Sequence, residues 1–148
     1  MPDRARARER LLALLAAGAC LLTAGWLGLH ARDESRLRTA NELGLRGDTA
    51  GAIAQARRIH RAPAAGRALL VEAYAEAARG RPARSAALFA QAARRAPRDW
   101  TVQRDWARAL LAAGDRAGAA SRMAVAVALN PRLRVPSGFR LDTAAHAP

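Results

Sequence analysis

Residues 114–131, GDRAGAASRMAVAVALNP, have the pattern of a tight turn followed by a helix with a marked end. Gly114-Asp115 is a turn dipeptide. Met123 lies among small residues at helical spacing, and Pro131 marks the end of the helix. The stretch therefore predicts the turn and second helix of a helical hairpin.

The same pattern occurs twice earlier in the chain, at a period of about 34 residues. The middle copy turns at Gly80 and ends at Pro97, and the first copy, one residue shorter, turns at Gly47 and ends at Pro63. Between turn and proline, the recurring positions are Ala52, Ala56 and Ile59; Ser85, Phe89 and Ala92; and Ala119, Met123 and Ala126. A fixed period of this length predicts a helical solenoid, in which each hairpin buries its apolar faces by stacking on its neighbours.

The three units resemble the tetratricopeptide repeat family, chiefly in the second helices and their boundaries. The first helices depart from that pattern: where the family favours Trp, Leu-Gly and Tyr, the third unit has Gln103, Trp106-Ala107 and Leu110. The resemblance implies repeats at about 33–65, 66–99 and 100–133, within a domain at 39–131 and before a tail at 132–148. It predicts an α-solenoid of about three hairpins in an all-α fold.

In this family the first helices line a concave groove that binds an extended peptide or a partner helix. The resemblance places these side chains near that groove: Asn41, Arg67, Tyr74, Arg104 and Arg108. Arginines there suit a protein partner with an acidic or extended segment, because guanidinium groups form charge-assisted hydrogen bonds with carboxylates.

The N-terminal part of the chain predicts a membrane segment. Leu11 to Leu29 are 19 residues without a charge, preceded by a basic stretch at 1–10. A helix of that length nearly spans a hydrocarbon core of roughly 30 Å. We therefore expect a single transmembrane signal anchor at 11–29, a cytoplasmic tail at 1–10, and a linker or helix extension at 30–38. The predicted location is the bacterial inner membrane, with the repeat domain in the periplasm.

Two alternatives for this segment remain open. A cleaved signal peptide has small residues in suitable places at Thr23-Ala24-Gly25, and a lipoprotein would use Cys20. A row of small residues spaced four apart would let a second transmembrane helix approach closely, although a segment this rich in Ala and Gly produces such rows by chance. The row consists of Ala16, Cys20, Ala24 and Gly28.

The tail after Pro131 lacks helical periodicity, and two interpretations remain open for it. In the first, its apolar residues lie extended across the last hairpin and cover it, because solenoid ends usually need a cap. Those residues are Leu133, Val135, Phe139 and Leu141. In the second, the tail is disordered or is itself a partner-binding motif.

The charge balance favours anionic partners. All 25 basic residues are Arg, 12 acidic residues oppose them, and the formal net charge is +13. Two arginine groups lie at the ends of second helices, where cations offset the helix dipole or together form a basic ridge. They are Arg57, Arg58 and Arg61, and Arg94, Arg95 and Arg98. Few aromatic residues (4%) argue against a stacking surface for single-stranded nucleic acid.

No residue pattern in the sequence indicates chemistry. The histidines His30, His60 and His146 lack ligand spacing, Cys20 is the one cysteine, and no nucleophile motif or phosphate loop occurs. The sequence thus predicts no enzyme, cofactor or metal site, and no nucleic-acid binding. It predicts a membrane-anchored scaffold or adaptor for protein–protein interaction in an envelope assembly. The alternative is an electrostatic tether that binds anionic polysaccharide or lipid without a specific protein partner.

Overall fold

The structure is a computed structural model that describes the backbone of residues 2–62 and 64–139 and the side chains of 15–62 and 64–139. Six helices lie in these residues: α1 (Pro2–Leu45), α2 (Thr49–Ala56), α3 (Ala64–Ala78), α4 (Pro82–Arg95), α5 (Trp100–Ala112) and α6 (Arg116–Leu129). The described residues contain no strand, so the predicted all-α class is confirmed. By internal contacts the chain forms two compact units, Met1–Ser35 and Arg36–Pro148.

The prediction of a single-pass inner-membrane protein is wrong. In the part of the chain that the structure describes, no helix is both long enough and apolar enough to cross a membrane. Residues 30–38, expected as a linker or helix extension, are helical, and the small-residue row Ala16, Cys20, Ala24 and Gly28 lies exposed on α1.

The three hairpin turns of the second unit share one geometry. Gly47, Gly80 and Gly114 have φ angles of 85°, 70° and 89°, the left-handed region. At each turn the residue after the glycine donates its N–H to a carbonyl five residues back, as Asp115 does to Leu110 at 3.0 Å. This pattern is a Schellman motif, which satisfies the last carbonyls of the preceding helix. The recurring glycines are therefore required by the backbone conformation.

Replacing Gly114 with alanine should lower the free energy of unfolding by about 1–2 kcal/mol, because an L-residue pays that cost in the left-handed region. The control is Gly66→Ala, since Gly66 lies within α3 and a Cβ there has no atom within 4 Å. That change should raise stability by roughly 0.5–1 kcal/mol. Chemical denaturation of the two variants measures both effects. Equal effects in the two variants would show that the turn does not select glycine.

Aspartates cap the helices that follow two of these turns. Asp48 Oδ1 accepts from Gly51 N and Asp115 Oδ1 from Gly118 N, both at 2.8 Å. At the middle turn Arg81 occupies the cap position and makes no side-chain cap hydrogen bond, but Pro82 begins α4. Proline is tolerated there because the first N–H of a helix has no intrahelical partner.

The core of the second unit is a series of small clusters between neighbouring helices. Residues at the recurring small and bulky positions of the repeats are buried, with Phe89 2% exposed and Met123 0%. Consecutive helices from α2 to α6 contact one another in chain order, and Leu37 of α1 packs with Ile59 and Ala68. Each helix–turn–helix unit thus contacts mainly its neighbours, as in a helical solenoid.

Both ends of this array differ from the middle. The second helix of the first unit ends at Ala56, before the recurring position Ile59, but Ile59 is still buried. At the other end Leu133, Val135 and Phe139 pack against the cluster formed by Ala107, Met123 and Ala126. The tail as far as residue 139 therefore lies across the last hairpin. Pro63, Leu141 and His146, named in the sequence patterns, lie outside the described residues.

Candidate partner-binding groove

A groove lies between α3 and α5, and α4 forms its floor. It encloses about 420 Å³. Its lining is Tyr74 and Ala77 from α3, Pro82, Ser85 and Phe89 from α4, and Asp105, Arg108, Ala109 and Ala112 from α5. The second halves of α3 and α5 thus face the first half of α4, so neighbouring helices run antiparallel and alternate helices run parallel. We call this space the apolar cavity, because most of the surface that lines it is apolar.

The carboxylate of Asp105 joins the two sides of the groove. Arg104 donates to it in bidentate fashion, with Nε 2.7 Å from Oδ1 and Nη2 3.0 Å from Oδ2. The Tyr74 hydroxyl donates to Oδ2 from α3. Arg108 Nη1 lies 3.7 Å from Oδ1. Asp105 is 7% exposed, and a buried carboxylate requires such partners to offset the loss of water.

Tyr74 is half-exposed and contacts the floor of the groove. Its ring meets the Phe89 ring edge to face at 5.2 Å and 82°, a preferred geometry for aromatic pairs. Burial, the hydrogen bond to Asp105 and the charge of that carboxylate together raise the pKa of Tyr74. The hydrogen bonds that Arg104 itself donates to Asp105 raise the pKa of Arg104. Tyr74 therefore acts as a neutral donor that ties α3 to α5.

The titration of Tyr74 can be measured directly, because it is the only tyrosine in the chain and lysines are absent. Ultraviolet absorbance of the phenolate should appear well above pH 10, the range of an exposed tyrosine. Because folding raises this pKa, the associated stability is complete below about pH 10 and is lost as the pH rises through the folded value. In Asp105→Asn the pKa should fall towards about 10.

Asp115→Asn is the control, since Asp115 caps α6 away from the groove. It should leave the phenolate curve unchanged. Circular dichroism at each pH separates ionisation of the folded protein from unfolding. A native curve centred near pH 10 would contradict the Tyr74–Asp105 hydrogen bond.

A second space lies at the opposite ends of the same three helices. It encloses about 670 Å³ and is lined by residues of the first halves of α3 and α5, the end of α4 and the segment before α3. Its charged or ionisable side chains are His60, Arg67, Arg95 and Asp99. Arg95 Nη1 donates to the carbonyl of Ala65 at 3.2 Å. Asp99 Oδ1 accepts from Thr101 N and Oγ1 at 2.9 and 2.6 Å, so its charge caps α5. We call this space the basic cavity.

Two buried glutamates of α3 fix the neighbouring helices. Glu72 accepts from Arg57 Nε at 3.1 Å, and Glu76 lies 3.4 Å from Arg81 Nη1 and 3.3 Å from Arg84 Nε. Each glutamate is less than one tenth exposed. These pairs link α3 to the end of α2 and to the start of α4.

Almost all acidic side chains of residues 36–139 are used inside the fold. This range has 19 arginines and 7 acidic residues. Six of the seven are engaged as helix caps or in arginine pairs: Asp48, Asp99, Asp115, Glu72, Glu76 and Asp105. The charge that this surface presents to a partner is therefore predominantly positive, which favours anionic ligands.

The structure brings three of the five predicted groove residues together. Tyr74, Arg104 and Arg108 surround Asp105, whereas Arg67 lines the basic cavity and Asn41 is exposed on α1, in neither lining. Sequence reasoning did not identify Asp105. The only signal in the sequence was that Asp105 lies three residues before Arg108. The contact of Asp105 with Tyr74 joins two different helices, so no local pattern indicates it.

The two predicted arginine groups have distinct environments. Arg57 pairs with Glu72, and Arg95 reaches the start of α3, so both do more than offset a helix dipole. Arg61 and Arg94 are exposed and line neither cavity. Among the described side chains, no group of three or more His, Cys, Asp or Glu residues is placed to hold a metal ion.

No protein-family model and no curated protein matches this chain.

Proposed function

We propose that the second unit is a tetratricopeptide-like docking module that binds an extended segment of a protein partner in the groove between α3 and α5. The groove carries this proposal. It is open, its floor is apolar, and its walls come from alternate helices, an arrangement that suits insertion of a peptide. The predominantly positive charge of the surface supports an acidic partner, because opposite charge raises the rate of encounter.

The side chains of Arg104 and Arg108 are unsuitable probes of docking, because both are bound to Asp105 and their removal would disturb the helices as well. A steric block is cleaner. Ala112 is exposed on one wall, and Ala112→Trp fills the apolar cavity without removing an interaction. Ala87→Trp is the matched control, since Ala87 is exposed on α4 and lines neither cavity.

The experiment is photo-crosslinking in intact cells, with the photoreactive residue at Ala77 on the wall opposite Ala112. We expect crosslinks to a discrete protein, lost in Ala112→Trp and retained in Ala87→Trp. Binding of the purified partner, measured by calorimetry, should follow the same order. Equal crosslinking in both tryptophan variants would contradict docking in this groove.

The second candidate function is electrostatic binding of an anionic polysaccharide without a specific protein partner, and the surplus of arginine favours it. The dependence of binding on salt concentration distinguishes this function from docking of a protein segment. Binding through exposed charges weakens steeply as ionic strength rises, because the Debye length falls from about 10 Å at 0.1 M to about 3 Å at 1 M. A segment seated on the apolar floor should largely remain bound. Complete loss of binding of the purified partner at 1 M salt would favour the polysaccharide tether.

A further inference from the structure

We infer that the bound segment carries an apolar side chain and an acidic residue about four or five positions apart, the first in the apolar cavity and the second in the basic cavity. This inference rests on the proposed docking function and specifies its ligand. The same three helices line both cavities, in opposite halves. A segment lying along the groove would therefore meet two chemically different ends.

The apolar end provides a surface for one side chain. Phe89 forms the floor, Ala77 and Ala112 stand on opposite walls, and alanine leaves open the space that a larger residue would fill. The two charged groups there, Asp105 and Arg108, lie 3.7 Å apart and offset each other. An apolar side chain buried at such a site contributes about 25 cal/mol per Å², whereas a carboxylate would meet Asp105.

The basic end is suited to a carboxylate. Arg67 and Arg95 line it, and α3 and α5 both begin there, so the positive ends of two helix dipoles add to the guanidinium charges. Its one acid, Asp99, already accepts hydrogen bonds from Thr101. Guanidinium groups form paired hydrogen bonds with carboxylates, so this end favours an acidic residue over an apolar one.

The helices set the distance between the two ends. Arg67 and Ala77, one at each cavity, are ten residues apart on α3, which corresponds to about 15 Å at 1.5 Å per residue. An extended chain advances about 3.3 Å per residue, so four or five residues cover that length. Tyr74 and Asp105 lie at the end of the apolar cavity nearer the basic cavity, so a segment that occupies both cavities passes over their hydrogen bond.

The test is selection of random displayed peptides on the full-length protein, followed by binding of synthetic copies. We expect enriched peptides with an apolar residue and an acid four or five positions apart. Changing the acid to its amide, or moving it next to the apolar residue, should weaken Kd about tenfold or more, as expected for a lost charge-assisted hydrogen bond. These changes leave the protein unaltered, so its folding does not affect the result.

Variants of the protein assign the contacts. Arg67→Gln with Arg95→Gln should weaken binding by about the same factor and remove the preference for the acid over its amide. Arg61→Gln with Arg94→Gln, the same charge change at exposed positions outside both cavities, should change Kd by less than about twofold. Thermal unfolding of both double variants checks that they are folded.

The outcomes separate this inference from the docking function. Two results overturn the inference and leave docking in place. In the first, the enriched peptides are blocked by Ala112→Trp but lack the spacing of an apolar residue and an acid. In the second, they bind the double variant Arg67→Gln with Arg95→Gln as tightly as the unchanged protein. If no enriched peptide is sensitive to Ala112→Trp, both proposals fail.

Discussion

Replacing Phe89 with alanine should lower the free energy of unfolding by about 3–5 kcal/mol, the usual range for a buried phenylalanine. Phe89 is 2% exposed and packs among Ala73, Ala86 and Ala109. These alanines have no rotatable side chain with which to fill the vacated space, so only the partly buried neighbours Leu70, Leu88, Trp106 and Leu110 can close part of it. Urea denaturation followed by circular dichroism measures the loss.

The control for this prediction is Leu45→Ala. Leu45 is 89% exposed at the end of α1, so removal of a similar apolar volume should change stability by less than about 0.5 kcal/mol. A loss below about 1 kcal/mol in Phe89→Ala would show that α3, α4 and α5 do not close around this ring. Phe89 would then not form the floor of the groove, and the docking proposal would lose its main support.

The sequence predicted the parts of the fold that short-range rules determine. Gly47, Gly80 and Gly114 recur because a left-handed turn residue must occur between the helices, and all three have positive φ. Phe89 and Met123 recur because stacked hairpins need a bulky residue between small ones, and both are buried. The turn glycines and the bulky residues depend on neighbours close together in the chain, so a single sequence is enough to predict them.

The candidate site was less accessible to prediction because its main contacts join separate helices. Tyr74 and Asp105 are 31 residues apart, and no local pattern pairs them. Assigning Arg67 and Arg104 to one groove by repeat position also missed that they lie in different environments.

Removal of the Asp105 carboxylate should have the second large effect. We expect Asp105→Ala to lower the free energy of unfolding by about 2–4 kcal/mol, because it removes the bidentate partner of Arg104 and the acceptor of Tyr74 together. The side chain of Arg104 is only 26% exposed, so water replaces the lost Asp105 carboxylate incompletely. Arg108 is 56% exposed, and its pair with Asp105 should contribute less than about 1 kcal/mol.

A double-mutant cycle with Tyr74→Phe isolates the contact across the groove. Tyr74→Phe alone should cost about 1 kcal/mol, the usual net value of a hydrogen bond, and almost nothing in the Asp105→Ala background. Asp115→Ala, which removes an exposed helix cap, should cost about 1 kcal/mol and add independently to Tyr74→Phe. If Asp105→Ala costs no more than this cap, or if the Tyr74 and Asp105 effects are additive, then their hydrogen bond does not set the spacing of α3 and α5. In that case the width of the groove between α3 and α5 depends on packing alone.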